Sequence, residues 1–278
     1  MWGLGVNPVA PLGVPGKGGV RELLRLPRLA LTGPRVGPTR TGRYGMALAS
    51  SEGWLFLLRW IHFLAGITWI GLLYYFNFVQ TPFFAETEAP VRGGAIQKLV
   101  PRALWWFRWG AMFTFLSGWL IIIHRSHQGG FFAGSYGWAI LLGGLLGSVM
   151  WANVWFVIWP KQKVVIQNAI DTAAGRPANP AAAGAGARGG LASRTNTLLS
   201  VPMLFFMGAA SHLTLPVPRN GMMFWVVALL MMLVVEINAL KGTPGQGLAK
   251  PLATVKGTLW AGFILSAVYY LWFEAVRG

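Results

Sequence analysis

Histidine is the side chain best suited to hold a metal or move a proton near neutral pH, and the chain has four: His62, His124, His127 and His212. All of them fall in or beside long apolar runs, where an ionisable group is costly and usually functional. Two imidazoles projecting from different helices are what a b-type haem requires of a bundle. His62 and His212 are therefore read as candidate axial ligands to the iron of haem b. Arg59, three residues earlier on the same helical face as His62, is placed to meet a propionate or another anion. Gly66, Gly71, Gly208, Ala209 and Ala210 leave room for a flat macrocycle. The competing reading of each histidine is a hydrogen bond to a neighbouring helix. His124 and His127 stand beside Arg125 and Gln128 at a helix end, the setting of a solvated interfacial side chain; either becomes a general base if it lines the same cavity.

The elements that must position these groups are six apolar runs, each near the twenty or so residues that a bilayer requires. They cover 54–79, 103–124, 136–159, 198–215, 222–240 and 252–273; the fourth is the shortest and contains Pro202. The expected fold is all-α, a polytopic membrane bundle of about six transmembrane helices. Alternation of direction brings the start of the first span to the same face as the ends of the second and fourth, so the four histidines converge there. Between the third and fourth spans, a weakly amphipathic surface helix leads into a flexible loop over 171–194, rich in Ala, Gly and Pro. No internal repeat and no pair of broken helices is evident. Among other polar groups in the spans, Glu236 and Arg108 suggest an ion pair, Asn77 and Asn153 suggest bonds between helices, and Gly143 with Gly147 forms a close-packing GxxxG pattern.

Composition agrees with this class. The 278 residues are 55% hydrophobic and 14% aromatic, with mean hydropathy +0.54 and only 11% charged residues. A soluble domain carries about a quarter charged residues, so soluble, disordered and nucleic-acid-binding classes are excluded despite a net charge of +16. Seven of the basic residues stand in the first 50 positions against one acid, Glu22. That segment is either a disordered basic tail or a consequence of start-site choice, with translation beginning at Met46, where the sequence leads directly into an apolar helix. Loops after the first, third and fifth spans carry ten basic residues against three on the other side when the basic first segment, whose seven contradict this balance, is excluded. The positive-inside rule then predicts a multi-pass protein with those loops in the cytoplasm and both termini outside. Zero cysteines exclude thiolate metal sites and covalently attached c-type haem.

Four stretches carry a family resemblance: LRWIHFLAGITWIGLLYYFNFVQTP over 58–82, RALWWFRWGAMFTFLSGW over 102–119, NVWFVIWPKQKVVI over 153–166 and SRTNTLLSVPMLFFMGAASH over 193–212. In this order they resemble the membrane domain of the PuuD-type urate hydroxylases, the urate oxidase N-terminal domain. The resemblance covers nearly everything from residue 53 onward. It implies an integral membrane enzyme of purine degradation that oxidises urate to 5-hydroxyisourate and passes the electrons to a cytochrome c. Family members of full length carry that cytochrome fused after the last span, whereas this chain stops at Gly278, so a separate cytochrome c is the expected acceptor.

Three functions follow as expectations. The first is a urate-oxidising membrane oxidoreductase with haem b on His62 and His212, Arg59 near the substrate, and His124 or His127 as base. The second is a non-catalytic haem-binding or electron-transfer subunit of a larger complex. The third is a transporter or structural membrane protein whose histidines serve packing or proton transfer. The expected partners are the lipid bilayer, urate and a separate cytochrome c, with no nucleic acid; a homo-oligomer is left open.

Overall fold

The computed structural model describes residues 46–277. The basic segment expected over 1–50 lies, up to residue 45, outside the described residues. From Met46 onward the chain is helical, and its β structure among the described residues is a single bridge between Pro218 and Arg277. The helices are α1 (Ser51–Tyr74), α2 (Thr81–Glu86), α3 (Ala89–Lys98), α4 (Val100–Ser126), α5 (Ser135–Ala152), α6 (Trp159–Ala173), α7 (Ala182–His212), α8 (Gly221–Lys241) and α9 (Val255–Ala275). Side-chain caps set three of the starts: Ser50, Asn220 and Thr254 each accept a hydrogen bond from the backbone N–H three residues on, satisfying a donor that the first turn leaves free.

Four continuous helical stretches are long and apolar enough to cross a membrane: Ser51–Glu86, Val100–Ser126, Ser135–Ala173 and Gly221–Lys241. The protein is a polytopic helical membrane protein. The other two expected spans correspond to α7 and α9, which have the length but fall below the hydropathy of the four. In α7 the reason is position. Its Thr195, Asn196, Thr197 and Ser200 are fully buried, because α5, α6, α8, α9 and α1 all pack on it. A helix enclosed by other helices meets no lipid, and polar side chains with partners serve there as interhelical bonds.

Several of those bonds involve asparagine and serine. Asn77 donates to Ser193 Oγ at 2.8 Å, and Tyr74 pairs with Ser200 at 2.9 Å. Asn153 donates to Asn196 Oδ1 at 3.0 Å and to Glu236 Oε2 at 2.9 Å, while Asn196 donates to the Met150 carbonyl. The expected bonds from Asn77 and Asn153 are therefore present, but Glu236 and Arg108 form no ion pair. Arg108 instead stacks its guanidinium over Trp159, 4.0 Å from the ring centroid, a cation–π contact.

Two expectations are corrected. The flexible loop over 171–194 is much shorter, because α7 already begins at Ala182. Alanine-rich sequence favours the helix, and Arg188 anchors it by donating to the carbonyls of Ala239 and Gly242 at the end of α8. Only a short turn connects α6 to α7. It contains Gly175 at φ +76°, a left-handed position that favours glycine after a helix, and an ion pair between Arg176 and Asp171. Second, two of the continuous stretches share an irregularity although the sequence shows no evident internal repeat. A single π turn follows α1 at Tyr75–Gln80 and another follows α5 at Asn153–Ile158. Each leads into a proline, Pro82 or Pro160, within the pattern Phe-Val-x-x-Pro, over 78–82 and 156–160. Proline offers no N–H and its ring crowds the carbonyl four residues back; widening the turn accommodates both effects. The flanking pairs also correspond, α1 packing extensively on α4 and α5 on α7. The seam between α5 and α7 uses the GxxxG pattern, since a Cβ at Gly143 would lie 3.3 Å from the Met203 carbonyl oxygen.

Candidate functional site

The start of α1, the end of α4, the start of α5 and the end of α7 enclose a cavity of about 280 Å³. Its ionisable lining is Arg59, His62, Arg125 and Tyr136, with no carboxylate. Phe63, Trp69, Phe115 and Trp119 supply aromatic walls, and Met203 and Met207 face them from α7. The walls are held from behind: Trp119 donates its indole N–H to Ser148 Oγ at 2.9 Å, and Phe115 stacks on Trp151 with centroids 4.2 Å apart. Trp69 is 1% exposed, and its indole N–H has no hydrogen-bond partner. A buried orphan donor is costly, and this one stands behind the cavity surface at a residue that lines it.

The position of His62 is set by α4. Its Nδ1 lies 3.2 Å from Ser117 Oγ. That hydroxyl has one proton, and it donates it to the Phe113 carbonyl at 2.6 Å. With the hydroxyl proton on that carbonyl, the neutral imidazole donates through Nδ1–H and keeps Nε2 as its acceptor. Gly118 makes the approach feasible: a Cβ there would stand 2.9 Å from the His62 ring.

The remaining expected site residues divide. Arg59 lines the cavity beside His62. His124 does not; its Nε2 lies 3.2 Å from Ser51 Oγ and 3.3 Å from Gln128 Nε2, joining the end of α4 to the start of α1. His127 is exposed, with Nδ1 2.7 Å from the Ile123 carbonyl. His212 ends α7 and is exposed, and its neighbour Ser211 lines the cavity in its place. The helix ends thus converge as expected, but His62 and His212 are not brought together around one space. Of the expected axial pair, His62 lines the cavity and His212 does not, and no step of the chemistry below passes through a haem. Arg125, Ser117 and Trp69 are the residues that sequence reasoning missed. Of these only Arg125 carried a signal, as a second cation at the end of the helix that faces α1.

The description "Urate oxidase N-terminal" matches residues 126–268, more than half of the chain. The chain belongs to the urate oxidase N-terminal family. The matched segment runs from the end of α4 through most of α9. It includes His127, His212 and the cavity wall from α5 and α7, while Arg59, His62 and His124 lie before it. No curated protein and no solved structure matches the chain. Membership gives the molecule a urate-related function, and the cavity lining, two arginines and aromatic walls, has the chemistry that suits a flat anion.

Proposed function

We propose that the chain is a membrane-bound urate oxidoreductase that converts urate to 5-hydroxyisourate in the cavity around His62. The observation that carries this reading is the lining itself, in which the charged groups are arginines and no carboxylate is present, in a member of a urate-related family. Urate is an anion near neutral pH. Arg59 and Arg125 would hold its charge, and the aromatic walls would orient the plane. His62, with Nδ1–H committed to Ser117, would accept a proton at Nε2 from the water that attacks the purine ring. The overall change balances as urate plus water giving 5-hydroxyisourate, two protons and two electrons.

The electrons would leave one at a time to a cytochrome c. The cavity lies at the end of the bundle opposite the basic loops, so the positive-inside rule puts it on the outer side of a bacterial inner membrane, where a c-type cytochrome would meet it. The test is anaerobic turnover of the purified protein with oxidised cytochrome c in isotopically labelled water. Urate should disappear with two cytochromes reduced per molecule and the label recovered in the product. Urate left intact under these conditions overturns the reading.

One observation favours a second reading. Two of the long helices each carry a π turn before a proline, a local irregularity frequent at functional sites, and a urate carrier would use the same cavity. Urate uptake into vesicles without cytochrome reduction would select it.

A further inference from the structure

A second cavity, also of about 280 Å³, lies at the end of the bundle that bears the basic loops. Its walls come from the π turn after α1, from α4, from α6, from the first half of α7 and from the connection between α8 and α9. Three features distinguish it from a packing defect. First, Gln80 lines it, and Gln80 Oε1 is buried with no hydrogen-bond partner; rotation of the side chain would turn that acceptor toward the N–H of a ligand in the cavity. Second, its charged lining is one arginine, Arg194, with no carboxylate. Arg194 is fixed by donating through Nη1 to the Leu252 carbonyl at 3.3 Å, which leaves other guanidinium donors free. Third, Gly186, Gly189 and Gly190 of α7 form part of its wall, so no side chain from those positions fills the space.

The two cavities are related by the repeated Phe-Val-x-x-Pro segments. His62 and Ile140 each stand twenty residues before their prolines, Pro82 and Pro160, and both line the first cavity; Trp69 and Gly147, each thirteen before, do the same. Gln80 and Ile158, each two before, both line the second. Each cavity is therefore built between the two helices that carry π turns, at opposite ends of them. Between the cavities, the buried polar row of α7 runs from Ser193 to Ser200, bonded to Asn77 and Tyr74.

From this arrangement we infer that the second cavity is a binding site for the same class of ligand as the first, a small planar cyclic amide carrying negative charge, loaded from the opposite side of the membrane. Such a ligand supplies an N–H for Gln80 Oε1 and an anionic oxygen for Arg194, which neither a simple carboxylate nor a neutral amide does. The inference rests on the urate reading for its ligand class and differs from it in place.

Equilibrium dialysis of labelled urate against the purified full chain tests it, with Gly190→Leu and Gln80→Leu altering the second cavity and Arg59→Met the first. Two variants are used at the second cavity so that a folding failure in one leaves the other, with elution as a single dispersed species checking each. The expected result is two urate molecules per wild-type chain, falling to one in every variant. One per chain, lost in Arg59→Met and untouched by the other two, overturns the second site and leaves the proposed function standing. One per chain, lost in Gly190→Leu and Gln80→Leu alone, supports the second site and overturns the first. No urate bound to the wild type overturns both.

Discussion

At the scale of single residues, the chemistry depends on one imidazole held by one hydroxyl. Ser117 positions His62 through Nδ1, and its own proton is committed to a backbone carbonyl. Ser117→Ala removes that acceptor, and a hydrogen bond of this kind is worth about 1 kcal/mol. Turnover number should fall on the order of tenfold with KM for urate little changed, and Ser117→Thr should restore it; steady-state kinetics of the three proteins measure both. A merely structural serine would show equal losses in Ala and Thr, or a rise in KM alone. Gly118→Val is the steric counterpart. Its side chain begins 2.9 Å from the His62 ring, so activity should be lost while the protein still elutes as a folded species. Sequence alone singled out Arg59 and His62, because intramembrane charge is conspicuous. It did not single out Ser117 or Trp69, which are unremarkable in an apolar run until the facing helix is known.

At the scale of elements, α7 is the helix around which the others are arranged, and its polar row is the price of that position. Asn153→Leu would take one donor from Asn196 and one from Glu236. Leaving buried acceptors unpaired costs about 1–3 kcal/mol per group, so the thermal unfolding midpoint in detergent should drop by several degrees, with urate affinity unchanged. Apolar length made five of the helices and the end of α7 legible in the sequence. The first turns of α7 were not, since Ala, Gly and Arg read as a linker until Arg188 is seen capping α8. The π turns were hidden for another reason. Two copies of a five-residue pattern with three shared letters carry little signal, and only the widened turns before Pro82 and Pro160 reveal their common role.

At the scale of the whole molecule, direction in the membrane decides which partners each cavity can meet. The chain has no cysteine, so single introduced thiols report sidedness without background. Ala133→Cys, in the exposed turn between α4 and α5, should react with an impermeant maleimide in intact cells. Gln246→Cys, in the exposed turn between α8 and α9, should react only after permeabilisation. The reverse pattern would put the His62 cavity on the cytoplasmic side and remove its access to a c-type cytochrome. The same molecule-wide view explains the failure of the histidine pairing: helix ends converge as alternation requires, yet rotation about each helix axis leaves His212 exposed and turns Ser211 to the cavity. The most direct measurement is urate-dependent reduction of cytochrome c by purified His62→Gln, with urate binding measured on the same sample. Removing the base should lower the rate by at least about a hundredfold while binding stays within a few-fold of wild type; an undiminished rate would contradict a catalytic role for the cavity.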